Sequence, residues 1–245
     1  MKNSSLVDLI RFEPSDIDEE YLNCRLTWDQ FLMVMEYPQE DVAQTLVITR
    51  QGHLLKVNQG MRAILKEFFA RQGLDDDQNW AYYRLFNLQK QSRSAVAGRY
   101  RLVPTCSPRN HQVCWIMAHH LVSWHACEQG ILLIFDVEGE AGKQLQVLVD
   151  ASAKKMESNL TAADQVADFQ LAMMDYEQYR TGSPHSTLTA YDYAKLSKLD
   201  QQYQRFQCVY EQRRFNRLLR AAFGEEMPEG MVHQLWHSSN YFYPY

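Results

Sequence analysis

The stretch ILLIFDVEGEAGKQLQVLV, residues 131–149, decides the fold class of this chain. Its two ends, Ile131–Val137 and Leu145–Val149, are rich in β-branched and large apolar residues, and the polar, glycine-containing segment between them has the composition of a turn. Two such runs joined by a short turn predict an antiparallel hairpin. The sequence therefore predicts a fold that contains a β-sheet, and the other elements are interpreted with this sheet in mind.

A second hairpin is predicted closer to the N-terminus. Thr45–Arg50 and His53–Val57 are β-rich runs on either side of Gln51-Gly52, and the apolar run Phe31–Met35 precedes them. Short apolar runs bounded by turn residues are typical of buried strands. The sequence predicts that the β-sheet begins near residue 31.

One long strand is predicted between the two hairpins. Val113–Trp124 contains twelve residues without Gly or Pro. Successive side chains of a strand point to opposite faces. His119 and His120 are therefore expected to face away from each other.

Helical periodicity appears once before this strand and twice after the second hairpin. A first helix is predicted to follow Gly60 and to end before Gly73, and Asp75–Asp77 is expected to be a solvated link that could cap the next element. Thr161-x-x-Asp164 resembles a capping box, which predicts a helix start there. Thr189-x-x-Asp192 predicts the start of a longer helix, which reaches about residue 223.

These elements predict an α+β fold. A mostly antiparallel β core is expected over roughly residues 30–150, followed by C-terminal helices over roughly residues 160–223. The expected organisation is an acidic N-terminal lead-in over 1–30, a core domain over 31–180, and a C-terminal region over 181–245 that contains the long helix and an aromatic tail.

Composition places the chain among soluble globular proteins. Of 245 residues, 46% are hydrophobic and 22% are charged, and no apolar run approaches the 18 residues of a membrane span. Met1–Asp8 lacks the apolar region of a signal peptide, and the five cysteines are odd in number and scattered. We therefore expect a cytoplasmic protein with no membrane partner.

The net charge of −5 conceals an alternation along the chain. Residues 46–130 carry 11 basic and 5 acidic side chains, and residues 195–223 carry 7 and 2, whereas the segments around them are acidic. Two basic blocks suit either a face that binds a polyanion or ion pairing with the acidic blocks, within the fold or in a dimer.

Motifs of common enzyme classes are missing from the sequence. It contains no glycine-rich phosphate loop, no Gly-x-Ser-x-Gly and no His-Glu-x-x-His, so we expect neither catalysis nor a cofactor. One cluster has the residue types of a zinc or thiol site, and it is the least favoured interpretation because a strand would separate its members. Its members are Cys114, His119, His120, His125 and Cys127.

The basic segment over residues 90–101 carries the main functional prediction. Arginines among Ser, Ala and Gly residues suit contacts to phosphates, or insertion into a narrow minor groove, and the alternative interpretation is a solvated surface loop. The residues predicted to bind DNA are Lys90, Arg93, Arg99, Arg101 and the nearby Arg109.

A second basic face is predicted on the C-terminal helix. Arg213, Arg217 and Arg220 are spaced i, i+4 and i+7, so they lie on one side of a helix. Such a face could contact phosphates, but we favour ion pairing with the acidic block over residues 131–194.

The order of several motifs resembles the competence transcription factor ComK family. The resemblance covers about residues 92–165, and it consists of order and residue type. Its parts are Ser-Arg-Ser-Ala-Val-Ala-Gly-Arg-Tyr (92–100), the Pro104-x-x-x-Pro108 loop, His111-Gln112-Val113-Cys114-Trp115-Ile116 followed by His120, the hairpin with its Gly142-Lys143 turn, and Ala151-Ser152 leading to Met156 and Asn159.

This resemblance implies a transcriptional activator of genes for DNA uptake. It implies binding to paired A/T-rich boxes, largely through the minor groove, as a homodimer or higher oligomer, and control by an adaptor–protease system. Minor-groove recognition depends mainly on DNA shape, which requires few base-specific side chains. The alternative is a protein-interaction or adaptor module on the same fold that does not bind DNA.

Overall fold

The computed structural model of the protein describes residues 4–37, 43–107, 113–139, 142–181, 193–224, 231 and 234. These residues form two mostly antiparallel sheets and four α-helices, so the predicted α+β class is confirmed. The strands are β1 (Ser4–Asp8), β2 (Glu19–Tyr21), β3 (Phe31–Glu36), β4 (Thr45–Thr49), β5 (Leu54–Val57), β6 (Ala95–Ala97), β7 (Tyr100–Pro104), β8 (Cys114–Met117), β9 (Leu121–Cys127), β10 (Gly130–Asp136) and β11 (Gln144–Val149). The helices are α1 (Met61–Arg71), α2 (Asp76–Leu85), α3 (Ala153–Arg180) and α4 (Tyr193–Phe223).

The chain divides into two compact units. The first comprises Met1–Leu74 and Gln89–Asp168, and the second comprises Asp75–Leu88 and Phe169–Tyr245. The first unit holds both sheets and α1, while the second holds α2, α4 and the last part of α3. Strands β1 and β2 come from residues 1–30, so the segment expected to be an acidic lead-in contributes one strand to each sheet.

The larger sheet of the first unit has the order β2-β5-β4-β3-β8-β7-β6. The predicted strand at residue 31 and the predicted hairpin around Gln51-Gly52 are both confirmed, as β3 and as β4–β5. One face of this sheet packs against α1, and together they form a hydrophobic core. The side chains on this face come from alternate residues of each strand. Central members of this core are Trp28, Val47, Ile64, Phe68 and Trp115.

The smaller sheet is built on the hairpin that decides the fold class. Its order is β1-β11-β10-β9, with β10 and β11 antiparallel as predicted. Ile131, Leu133 and Phe135 alternate along β10 and are fully buried. Gly130 begins this strand with a φ of +148°, and a Cβ there would lie 2.2 Å from the carbonyl oxygen of Val149. Only glycine fits this close approach.

The prediction of one strand over Val113–Trp124 is wrong. A 3-10 turn at Ala118–His120 divides the segment into β8 and β9, which belong to different sheets. The turn is stabilised by a residue far away in the sequence. The imidazole Nε2 atoms of His119 and His120 both lie within hydrogen-bond distance of the carbonyl oxygen of Trp28. A contact over some ninety residues leaves no local signal such as Gly or Pro.

The predicted start of α3 at Thr161 is also wrong, since the helix begins at Ala153. The amide of Met156 donates to the carbonyl of Ser152 at 2.9 Å, so the first helical turn forms eight residues before the predicted start at Thr161. Met156 is fully buried, and packing of this first turn outweighs the capping pattern further on. The predicted end near Thr181 is confirmed, whereas the predicted start at Thr189-x-x-Asp192 lies outside the described residues.

The second unit is a helical cluster with an aromatic core. Tyr82 of α2 stacks on Phe206 of α4, with ring centroids 4.4 Å apart, and Phe169 of α3 packs edge-on against both. Burial raises the pKa of Tyr82 to about 12. Helix α2 was not predicted, although Asp75 caps it as the acidic link allowed, by accepting from the amide of Asp77 at 2.9 Å.

Candidate functional site

The basic segment predicted to bind DNA lies on the edge hairpin of the larger sheet. Strands β6 and β7 are antiparallel, and Gly98 and Arg99 form the two-residue turn between them. Gly98 has a φ of +57°, a conformation that favours glycine in a tight hairpin turn. Ser92, Ser94 and Ala95 are buried before this turn, whereas Arg99 in the turn is exposed.

Arg99 is exposed at this turn, and its side chain lies over the ring of Tyr100. Its Nη2 atom donates to the Tyr100 hydroxyl at 2.8 Å, and its guanidinium lies 4.9 Å from the centroid of the same ring. The Tyr100 ring stacks in turn on Trp28, with centroids 5.5 Å apart and planes 20° apart. Trp28 is buried in the core, so the stack connects an exposed cation to a rigid part of the unit.

Arg101 follows Tyr100 on β7, so the two side chains lie on opposite faces of the strand, and Arg101 is ion-paired within the unit. Its guanidinium binds the carboxylate of Asp164 on α3. Burial lowers the pKa of Arg101, and the carboxylate of Asp168 acts in the opposite direction. The sequence does not distinguish Arg99 from Arg101, but in the structure Arg99 is exposed and Arg101 is partly buried.

Lys90 and Arg93 lie exposed in the segment that leads into β6. This segment is fastened by Asn159 of α3, whose Oδ1 accepts from the Ser92 amide at 3.2 Å and whose Nδ2 donates to the Pro104 carbonyl at 2.8 Å. The Asn159 side chain is fully buried. The position of the exposed cations is thus set by a buried polar contact.

Lys155 joins this basic segment, although the sequence did not indicate it. Its Nζ donates to the carbonyl of Lys90 at 3.3 Å, because the first turns of α3 pack beside the segment. Only tertiary packing relates these two lysines, which are 65 residues apart. Arg109, the fifth predicted DNA-binding residue, lies outside the described residues, as do Pro108, His111, Gln112 and the aromatic tail.

Among the described residues, the five residues considered for a zinc or thiol site do not form one cluster. Cys114 lies in the larger sheet, whereas His125 and Cys127 lie on β9 in the smaller one. Burial raises the pKa of Cys114 to about 12, which opposes formation of a nucleophilic thiolate. This cysteine is a core side chain.

The expectation that His119 and His120 face apart is wrong, because the 3-10 turn brings their rings to a centroid distance of 4.1 Å. Together with Asp29 they are close enough to surround a cation. The His119 ring is already occupied, however. Its Nδ1 accepts from the Arg101 amide at 3.4 Å, so its Nε2 carries the hydrogen that is donated to the Trp28 carbonyl at 2.9 Å. This tautomer has no lone pair free for a metal.

The basic face of α4 pairs with acidic residues, but not with the predicted ones. Arg213 Nε lies 3.3 Å from Asp77 Oδ1, and Arg217 Nη1 lies 2.8 Å from Asp77 Oδ2. Among the described residues, the acidic partner of Arg213 and Arg217 is therefore Asp77, in the link over residues 75–77, where ion pairing with the block over 131–194 was expected. The contact lies within the second unit, to which Asp77 and both arginines belong.

Comparison with family models, with curated proteins and with solved structures finds no match for this chain. The resemblance to the ComK family therefore stays a prediction. Within the described parts of the chain, none of the helices combines the length and the apolar character needed to cross a bilayer.

Proposed function

We propose that this chain is a DNA-binding regulator that uses the β6–β7 turn and the basic segment before it to contact A/T-rich duplex DNA. The observation that supports the proposal is the stack of Arg99 on Tyr100 and Trp28, which holds an exposed guanidinium at the tip of an edge hairpin. Such a side chain has lost part of its freedom before binding, so less entropy is lost on contact.

The proposed contacts divide into two kinds. Arg99 at the narrow turn fits a minor groove, where A-tracts concentrate negative potential. Lys90, Arg93 and Lys155 fit phosphate contacts, which set the orientation of a protein on DNA without reading its sequence. Arg101 contributes through its ion pair with Asp164, which fixes β7 against α3. Activation of DNA-uptake genes and control by an adaptor–protease system belong to the same proposal, as the implication of the ComK resemblance.

The test is a titration of the full chain against two labelled duplexes of equal length, one rich in A-tracts and one rich in G·C pairs, over a range of salt. We expect tighter binding to the A-tract duplex and a linear fall of log K with log salt. Arg99→Ala should reduce the magnitude of that slope by roughly 0.9, the value for one lost contact. Arg99→Lys should keep the slope and weaken binding, because the charge remains but the planar stacking group is gone.

The matched control is Arg62→Ala, which removes an exposed arginine from α1. It changes the net charge as Arg99→Ala does, so an equal loss of slope in both variants would show a general charge effect and would overturn the assignment of Arg99. No binding to either duplex at low salt would overturn DNA binding itself. That outcome would favour the protein-interaction module, with which the net charge of −5 agrees.

A further inference from the structure

The smaller sheet has one edge that lacks the usual protection against pairing with another strand. Strand β9 pairs with β10 on one side, and no strand among the described residues pairs with its other side. It is seven residues long, and its sequence, Leu-Val-Ser-Trp-His-Ala-Cys, contains no Pro, Lys, Arg, Asp or Glu. Natural proteins commonly blunt an exposed edge with such residues, or with short strands.

The other three sheet edges are protected in these ways. Strand β2 has three residues, two of which are Glu19 and Glu20, and β6 has three residues. Strand β1 contains one acidic residue, Asp8, whose carboxylate accepts from the amides of Ile10 and Arg11. The exposure of β9 is therefore a specific feature and not a general property of this fold.

The register of the β9–β10 hairpin shows which backbone groups of β9 point outward. Cys127 pairs with Gly130 across the two-residue turn, and His125 pairs with Leu132. In a two-residue hairpin the pair next to the turn is hydrogen-bonded, and bonded pairs then alternate along the strand. Cys127, His125 and Ser123 therefore bond to β10, while the N–H and C=O groups of Ala126 and Trp124 point away from it.

We propose that β9 pairs with β9 of a second copy of this chain, antiparallel and about a two-fold axis at Trp124. In this arrangement Trp124 bonds to its own counterpart, so that outward backbone groups meet outward groups. The two four-stranded sheets then become one continuous sheet of about twice that number of strands, as edge pairing requires.

Charge favours a second copy as the occupant. A two-fold axis at Trp124 places Ser123 opposite His125 of the partner, and each cross-edge pair along the strand is free of Asp, Glu, Lys and Arg. The same operation on β2 would place glutamates against glutamates. Val122 is 50% exposed and gains an apolar neighbour, Ala126 of the partner, when the edges meet.

The test compares two double variants of the full chain by sedimentation velocity. Ser123→Lys with His125→Lys places like charges opposite each other twice, and we expect self-association to weaken by about tenfold or more. Ser123→Glu with His125→Lys places opposite charges at the same two points, and we expect the dimer to be retained. The positions suit this design because their side chains lie on the outer face of the sheet, opposite the buried face of β10.

Amide hydrogen exchange separates loss of the dimer from loss of the fold. In the dimeric wild type, the amides of Trp124 and Ala126 should be protected along with those of His125 and Cys127. In the double-lysine variant, the amides of Trp124 and Ala126 should exchange rapidly, while the amides at positions 125 and 127 stay protected. A wild-type chain that is monomeric at micromolar concentration would overturn the proposal, and so would a double-lysine variant that dimerises as the wild type does. Neither result depends on whether the chain binds DNA.

Discussion

Oδ2 of Asp77 lies 2.8 Å from Nη1 of Arg217 in an ion pair, and the Asp77 side chain is only 3% exposed. Arg213 approaches the other carboxylate oxygen at 3.3 Å. One buried acid at the start of α2 thus serves two arginines of α4, in a unit whose remaining core is largely aromatic. This contact explains part of the basic block near the C-terminus without any external partner.

Asp77→Asn should lower the free energy of unfolding by about 1–3 kcal/mol, because the side chain keeps its shape but two charge-assisted contacts are lost. Urea unfolding followed by circular dichroism measures the change. Asp76→Asn is the matched control, since Asp76 is exposed in the same helical turn and its removal should cost well under about 1 kcal/mol. Equal losses in the two variants would mean that the effect comes from the helix dipole and not from the ion pairs.

Asn159→Ala should be among the most destabilising single substitutions in the first unit. The Asn159 side chain is fully buried, and it satisfies both the Ser92 amide and the Pro104 carbonyl. Its loss leaves two buried groups without partners, at about 1–3 kcal/mol each. Thermal unfolding checks this, with Ser158→Ala at the preceding position as the control. A small effect of Asn159→Ala would mean that water replaces the amide.

The same substitution carries a functional consequence. Because Asn159 fastens the segment that carries Lys90 and Arg93, the variant should bind A-tract DNA more weakly even at a temperature where it stays folded. The magnitude of the slope of log K against log salt should decrease less in the folded Asn159→Ala variant than in Arg99→Ala, because no cation is removed.

The parts of the fold that were predicted correctly depend on local pattern. The β10–β11 hairpin follows from alternating apolar residues around a polar turn, and α1 follows from helical spacing that ends before Gly73. Both signals lie within about twenty residues of sequence. Where local pattern and tertiary structure agree, the sequence alone is sufficient.

The incorrect predictions concern features that depend on contacts between residues far apart in the sequence. The break between β8 and β9 depends on hydrogen bonds from two imidazoles to the Trp28 carbonyl. The sequence near Ala118 contains no Gly or Pro that would predict this break. The contrast between Arg99 and Arg101 also depends on packing, because Asp164 of α3 forms an ion pair with Arg101. A charge count treats these two arginines alike.

The five thiols should react at rates set by burial. Cys127 is exposed at the end of β9, while burial raises the pKa of Cys24 to about 11 and that of Cys114 to about 12. Because the thiolate is the reactive form, alkylation at pH 8 should modify Cys127 first and Cys114 last. Peptide mapping by mass spectrometry gives the order, and Cys127→Ser should remove the fastest phase. Early modification of Cys114 in folded protein would contradict its assignment as a core residue.

His119 should make stability depend on pH below neutrality. Burial lowers its pKa to about 4 from an ordinary value of 6.5, and the neighbouring His120 acts in the same direction. Between these two values the unfolded chain binds a proton that the folded chain does not bind. The stability contributed by neutral His119 is therefore fully present above pH 6.5 and is lost progressively as the pH falls toward 4.

The His119→Gln variant isolates this contribution, because glutamine can still donate to the Trp28 carbonyl but does not titrate. The measurement is the midpoint of urea unfolding for both proteins at intervals from pH 7.5 to about pH 4, over the range in which the shifted imidazole titrates. The wild type should lose stability more steeply than the variant below pH 6.5, and the two curves should run parallel above it. Carboxylates titrate in both proteins, so they cancel in the difference. Parallel curves over the whole range would show that His119 accepts a proton in the folded protein, which would contradict its buried, neutral hydrogen-bonding role.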